Sequence, residues 1–156
     1  MIVLGIDPGP ETHGWALLDM SGPRPKWIDA SKSTSDGMRI VIPQTAPDLV
    51  AVEVPSRVLP FGKPVAQRAR GAQLAATSLQ AGRILGACDG LGYEAVQIDA
   101  ATWRKVLGAR TDATIKTAIA RLVEGCPKRS NVHERDAAGV AIGAYRRWML
   151  ERRKTG

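Results

Sequence analysis

The sequence predicts an α/β fold with a mixed five-stranded sheet and helices on both of its faces. Three observations support this: short apolar runs rich in β-branched residues, a long helical stretch in mid-chain, and the order in which strands and helices alternate. Strands that follow one another directly predict antiparallel pairing, whereas a strand after a helical crossover predicts parallel pairing. At 156 residues, the chain suits a single domain over residues 1–156.

Five segments have the composition of strands. They cover residues 2–6, 14–19, 27–31, 49–53 and 94–98. The turn signal Asp7-Pro8-Gly9-Pro10 predicts that the first two strands form a hairpin. Residues 32–47 are polar with scattered proline and glycine, and no element can be assigned to them.

Helical periodicity is strongest in the second half of the chain. It predicts a long helix over residues 65–86 after a loop at 56–63, a short helix over 101–106, a third from 111 or 112 to about 123, and a last one through 137–144. Asn131 and Glu134 resemble a capping box at the start of the last helix. Glycine in a helix costs roughly 1 kcal/mol relative to alanine, so the glycines of the long helix suggest tight packing against another helix.

The charge balance favours a polyanionic partner, nucleic acid before membrane. The net charge is +7, from 22 Lys and Arg against 15 Asp and Glu. No acidic residue occurs between Val54 and Cys88. That stretch contains Arg57, Lys63, Arg68, Arg70 and Arg83, and the C-terminal stretch adds Arg146, Arg147, Arg152, Arg153 and Lys154.

Other features argue against membrane insertion, export and a zinc site. The sequence has no apolar run of about 18 residues, and its first residues do not have the pattern of a signal peptide. Cys88 and Cys126 form no C-x-x-C pair, so we expect reduced thiols in a cytoplasmic protein.

Acidic residues stand at positions that the predicted fold can bring together. Asp7 ends the first strand, Glu53 ends the fourth, and Asp136 lies in the first turns of the last helix, three residues after His133. Residues i and i+3 share a helix face, so His133 and Asp136 can lie together over the strand ends. Clustered carboxylates repel one another, and divalent cations such as Mg²⁺ relieve that repulsion. Two ions about 4 Å apart can promote phosphodiester displacement.

Each of these residues also has an ordinary structural interpretation. Asp7 can simply belong to a turn, Glu53 can be a solvated charge, and His133 can be a surface residue. Glu134 is interpreted as a cap, because position i+1 is turned about 100° away from the face of His133. The joint pattern, rather than any single residue, indicates a metal site.

Short motifs along the chain resemble those of the RuvC Holliday-junction resolvases. In order, they are Gly5-Ile6-Asp7-Pro8-Gly9 with Gly14-Trp15-Ala16, then Ala51-Val52-Glu53, Ala69-Arg70-Gly71, the basic pair Lys105 and Lys116, and His133-x-x-Asp136-Ala137-Ala138. They extend from residue 2 to about 145, over nearly the whole chain. The resemblance implies an RNase H-like fold and a homodimer that resolves four-way DNA junctions by paired symmetric nicks with Mg²⁺ or Mn²⁺.

The resemblance also implies residue roles. Asp7, Glu53, His133 and Asp136 would hold the metals, and Lys105 and Lys116 would contact phosphates near the scissile bond, Lys116 as part of the catalytic set. The remaining expected DNA contacts are Arg57, Phe61, Lys63, Arg68 and Arg70. Phe61 would act as an aromatic wedge, or else as a core side chain. The helix from Gly71 onward would form the dimer contact, or else would pack within the monomer.

Two departures suggest a phage-encoded or otherwise divergent member. The interval from Asp7 to Glu53 is short, and the missing residues fall near 32–47, where the family usually has a helix. In addition, His133 stands where many members have Asp. Such a protein can cut branched DNA more broadly.

The sequence leaves three alternatives to compare with a junction resolvase. Sugar kinases and actin-like ATPases begin with a similar strand, but they need a second domain for which the chain is too short. A DNA-binding module without catalysis has no need for clustered carboxylates. A nuclease of the same fold that acts on RNA–DNA hybrids or flaps stays open.

Overall fold

The structure is a computed structural model that describes residues 1–55 and 64–155, with only the backbone of residues 64–70 and 155 described. The strands are β1 (Ile2–Asp7), β2 (His13–Asp19), β3 (Lys26–Ser33), β4 (Leu49–Val54) and β5 (Ala95–Asp99). The helices are α1 (Ser35–Thr45), α2 (Pro64–Leu91), α3 (Ala100–Leu107), α4 (Asp112–Leu122) and α5 (Val132–Thr155). Within the described ranges, no helix is long and apolar enough to cross a membrane.

The strands form one mixed sheet in the order β3-β2-β1-β4-β5. Strands β1, β2 and β3 pair antiparallel, as expected for consecutive hairpins, and β4 pairs in parallel with both β1 and β5. The predicted α/β class and mixed five-stranded sheet are therefore confirmed. Parallel pairing of β1 with β4 places the carboxyl ends of these two strands at the same edge of the sheet.

Each strand sends alternate side chains to opposite faces, and each face has its own apolar core. On β1, Val3 belongs to a cluster with residues of α3, α4 and α5, whereas Leu4 and Ile6 belong to a cluster with residues of α1 and α2. The predicted helices on both faces are thus confirmed.

Helix α1 occupies the segment to which the sequence analysis assigned no element. Thr34 caps it by accepting a hydrogen bond from the backbone N–H of Gly37, and Met38 and Ile42 are buried one turn apart. Pro43 lies inside the helix, and Ala46 ends it in the left-handed conformation at φ 41°. Glycine and proline obscured the helical pattern in the sequence.

Helix α5 lies unusually close to the sheet, because two glycines remove the side chains beneath it. A Cβ atom on Gly5 would overlap the carbonyl oxygen of Ala137 and lie 2.9 Å from the Cβ of Ala141. A Cβ atom on Gly14 would lie 2.5 Å from the carbonyl oxygen of His133. The first turns of α5 therefore rest on the backbones of β1 and β2.

We predict that Gly5→Ala destabilises the protein, because the added methyl group forces α5 away from β1. Overpacking of this kind costs about 1–3 kcal/mol, measurable as a lower midpoint of urea unfolding. Gly22→Ala is the control, since a Cβ there meets only the Arg24 carbonyl oxygen at an ordinary 3.5 Å. Equal stability of the two variants would contradict the close contact.

Candidate active site

Asp7 and Glu53 lie side by side at the carboxyl edge of the sheet. The parallel register pairs Ile6 with Val52, so the two carboxylates occupy the next position on neighbouring strands. Alternation along the strands directs both towards the face that α5 covers, since Val3 and Ala51 belong to the α5 core cluster. The sheet thus presents two carboxylates to the beginning of one helix.

Helix α5 supplies the other two residues of the site. His133 lies over the end of β1, where its Nδ1 is 2.9 Å from Oδ2 of Asp7. The His133 side chain is 52% exposed, whereas that of Asp7 is 16% exposed. Asp136 is buried, and its Oδ1 has no hydrogen-bond partner within the described parts of the chain. The i, i+3 spacing thus brings a solvent-facing imidazole and a buried carboxylate to the same strand ends.

The start of α5 is fixed by a cap, as the sequence suggested. The Asn131 side chain accepts a hydrogen bond from the Glu134 backbone N–H at 2.9 Å, and the Glu134 carboxylate accepts from the Asn131 backbone N–H at 3.0 Å. Both side chains are therefore engaged in capping. Glu134 belongs to the helix terminus rather than to the carboxylate cluster.

Helix α3 contributes two residues that the sequence analysis did not single out. Trp103 donates a hydrogen bond from Nε1 to Oε2 of Glu53 at 2.7 Å, and Arg104 places Nη2 3.8 Å from Oδ2 of Asp136. The only signal for them in the sequence was their position beside Lys105, which was expected to contact DNA phosphates. Arg104, not Lys105, contacts the acidic cluster.

Burial and mutual repulsion raise the pKa values of two carboxylates. Burial, followed by the charge of Asp7, raises the pKa of Glu53 to about 7, although the hydrogen bond from Trp103 opposes the shift. Burial and the charge of Asp7 likewise raise the pKa of Asp136 to about 6, against the lowering effect of Arg104. The three carboxylates therefore act on one another at this edge.

The donor set suits a hard divalent cation, but the side chains do not yet surround a common point. Carboxylate oxygens are the ligands that Mg²⁺ prefers, and Asp136 has an unpartnered buried oxygen. Even so, no three His, Cys, Asp or Glu side chains in residues 1–55 and 71–154 form a ready coordination group. Each carboxylate instead contacts a different partner: Asp7 contacts His133, Glu53 contacts Trp103, and Asp136 contacts Arg104. A cation bound there would compete with His133 and Arg104 for the oxygens of Asp7 and Asp136.

The expected basic residues take several positions. Lys105 and Lys116 are exposed on α3 and α4, and neither has a described contact with the acidic cluster. Arg104, Lys105 and Arg110 line a groove of about 570 Å³ beside α3. Arg57, Phe61 and Lys63 lie outside the described residues, as do the side chains of Arg68 and Arg70 on α2.

A chain of polar side chains that begins at a buried histidine, and that sequence analysis also missed, anchors the turn after Asp7. His13 is fully buried, with its Nε2 2.8 Å from Oγ of Ser35, and Ser35 donates to Oε1 of Gln80 at 2.5 Å. Gln80 in turn donates to the carbonyl oxygen of Pro10 at 3.1 Å. Burial lowers the pKa of His13, which favours the neutral imidazole. The chain ties the turn at residues 8–12 to α1 and α2.

Comparison with known proteins finds similarity in structure alone. No family model matches the sequence, and no curated protein matches it. The fold is similar to Thermus thermophilus RuvC in complex with Holliday junction substrate, at a TM-score of 0.72 and 18% identity, covering 96% of each chain. It is also similar to the fowlpox virus Holliday junction resolvase, at a TM-score of 0.54 and 16% identity over 97% of this chain and 99% of that one. The yeast mitochondrial Holliday junction resolvase matches at a TM-score of 0.50 and 12% identity, over 95% of this chain and 78% of that one. The chain therefore has the RNase H-like fold that RuvC displays.

Proposed function

We propose that this protein is a divalent-metal-dependent endonuclease that resolves four-way DNA junctions by paired symmetric nicks. The observation that carries the proposal is the meeting of Asp7, Glu53 and Asp136 on one face of the sheet edge. The structural likeness to proteins described as Holliday junction resolvases adds the substrate class. A broader branched-DNA nuclease, or one that cuts RNA–DNA hybrids, is the alternative that the same site would serve.

The proposed metal ligands are Asp7, Glu53, His133 and Asp136. Mg²⁺ or Mn²⁺ bound there would stabilise the attacking and leaving oxygens of a phosphodiester displacement. His133, exposed and close to Asp7, is placed to ligate an ion or to orient the attacking water. Arg104 offsets the charge of Asp136 in the metal-free protein, and it can pair with a substrate phosphate once Asp136 turns away.

Basic side chains beside the site would hold the DNA backbone. The groove lined by Arg104, Lys105 and Arg110 opens next to the acidic cluster, and Lys116 is exposed on the neighbouring helix α4. Phosphate contacts by these residues release counterions, so binding should weaken steeply with salt. We expect Lys105 and Lys116 to contact phosphates near the scissile bond.

Dimerisation through α2 would pair two such sites. Gly82, Gly86 and Gly90 repeat at every fourth position, and a Cβ on any of them would meet no described atom within 4 Å. Leu79 and Leu91 on the same helix are 56% and 45% exposed. These small residues therefore do not serve packing within the described monomer. A two-fold contact is self-complementary and would suit a substrate with two-fold symmetry.

We predict that Asp7→Asn abolishes junction cleavage and leaves junction binding intact, because it removes a metal ligand without removing a phosphate contact. A loss of about 3 kcal/mol of transition-state stabilisation is roughly a hundredfold in rate. The assay compares a synthetic four-way junction with linear duplex, a flap and an RNA–DNA hybrid, with Mg²⁺, with Mn²⁺ and with neither. Asp29→Asn, at an exposed position on β3, is the control and should cut normally.

The outcomes separate the alternatives. Paired nicks in the junction alone support a resolvase, and cutting of all branched forms supports the broader nuclease. Normal cleavage by Asp7→Asn would remove Asp7 from the site.

We predict that Mg²⁺ stabilises the protein more at pH 8 than at pH 5.5. Because their pKa values are raised in the folded protein, Glu53 and Asp136 stabilise the fold when they are protonated. This contribution to stability is lost as the pH rises towards about 7 for Glu53 and about 6 for Asp136. Metal binding offsets the loss and needs the deprotonated carboxylates, so cleavage at limiting Mg²⁺ should also fall below pH 7.

Thermal unfolding with Mg²⁺ and with EDTA at both pH values checks this. A ligand at 100 times its Kd stabilises by about 2.7 kcal/mol, and that shift should shrink at pH 5.5. Since other groups titrate too, only the difference between Mg²⁺ and EDTA is compared. Equal Mg²⁺ shifts at the two pH values would count against this site.

We predict that the protein is a dimer at micromolar concentration and that Gly86→Lys dissociates it, because a long charged side chain would stand in the small-residue face of α2. Sedimentation equilibrium should give about twice the 16.7 kDa of one chain for the unaltered protein. Gly22→Lys is the control and should remain dimeric. A monomeric mass for the unaltered protein would refute the paired-site arrangement.

A further inference from the structure

Trp103 is a fully buried side chain that connects the sheet edge to α5. Its ring fills a slot made by two glycines one turn apart on α5. A Cβ on Gly139 would lie 2.7 Å from Cζ3 of Trp103, and a Cβ on Gly143 would lie 2.5 Å from its Cβ. The same helix carries Asp136, so the position of Trp103 is fixed relative to the acidic cluster.

The polar end of this ring meets Glu53. Nε1 of Trp103 donates to Oε2 of Glu53 at 2.7 Å, a short distance typical of a hydrogen bond to a charged group. No residue in the described part of the chain donates to Oε1 of Glu53. Among the residues that the structure describes, one carboxylate oxygen of Glu53 is thus held and the other has no donor.

Packing alone does not account for an indole at this position. A phenylalanine or leucine could fill an apolar slot, whereas a buried indole N–H needs an acceptor. Arg104, the next residue, lies with its guanidinium carbon 5.1 Å from the centre of the Trp103 ring and reaches Asp136. Consecutive residues of α3 therefore contact two of the three carboxylates.

We propose that Trp103 is a positioning residue that holds the Glu53 carboxylate in the orientation required to bind a divalent cation. This inference rests on the proposed metal site. It assigns Trp103 no contact with substrate or with the reacting atoms. Outer partners that orient a metal ligand commonly change metal affinity by about 10–100-fold when they are removed.

The chain contains a matched control for this hydrogen bond. Trp148 donates from Nε1 to Oε1 of Glu94 at the same 2.7 Å. Glu94 immediately precedes β5, whose first residue pairs with Val50, so this bond lies at the opposite end of the parallel strands from Glu53. Trp148→Phe therefore removes an indole-to-carboxylate bond without touching the site.

The first test measures Mn²⁺ binding by titration calorimetry at pH 8 on the full chain, using the unaltered protein, Trp103→Phe, Trp148→Phe and Glu53→Gln. We expect Trp103→Phe to raise the Kd about 10–100-fold, Glu53→Gln to raise it at least as much, and Trp148→Phe to leave it within about twofold. A folded Trp103→Phe protein with unchanged Mn²⁺ affinity would overturn the positioning role while leaving the metal site intact. Absence of Mn²⁺ binding by the unaltered protein would instead overturn the proposed function, and this inference with it.

The second test needs no change to the slot and decides the matter if Trp103→Phe fails to fold. The indole N–H proton resonance of Trp103, assigned through its contacts with Gly139 and Gly143, is followed by NMR during addition of Mg²⁺. We expect this resonance to shift while that of Trp148 stays in place, and Glu53→Gln to abolish the shift. If the chemical shift of the Trp103 indole proton does not change when Mg²⁺ binds, the proposal is overturned.

Discussion

Helix α5 lies on the backbones of β1 and β2, because Gly5 and Gly14 have no side chains to hold it away. This contact sets the height of His133 and Asp136 above the strand ends, and hence their separation from Asp7 and Glu53. The slot at Gly139 and Gly143 then fixes Trp103 and α3 against the same helix. Close packing of backbones is therefore the condition on which the acidic cluster depends.

Much of this arrangement could be predicted from the sequence, because its signals are local. The β-branched run of β1, the Asp-Pro-Gly turn and the Asn131–Glu134 cap each depend on neighbouring residues. Helix α1 escaped prediction because Gly37 and Pro43 disfavour helix locally, while burial of Met38 and Ile42 outweighs them. The contacts of Trp103 and Arg104 could not be predicted because their partners are distant in sequence. No short-range pattern reports the contact of an indole with Glu53.

Each acidic side chain of the cluster contacts a donor or a cationic group of the protein itself. His133 contacts Asp7, Trp103 contacts Glu53, and Arg104 contacts Asp136. These contacts reduce the electrostatic cost of gathering three carboxylates at one edge. In the proposed metal site, an ion would compete with His133 and Arg104 for the oxygens of Asp7 and Asp136.

The members of the cluster lie far apart in the sequence. This separation determines when the cluster forms during folding. Asp7 and His133 are 126 positions apart in sequence yet in direct contact. Local elements such as the β1–β2 hairpin can form early, but contacts of this span close only after a large loss of chain entropy. A partly synthesised chain that lacks α5 has two carboxylates at an open strand edge and no completed centre. The cluster therefore exists only once α5 has packed on the sheet, so any chemistry proposed for it depends on this long-range contact.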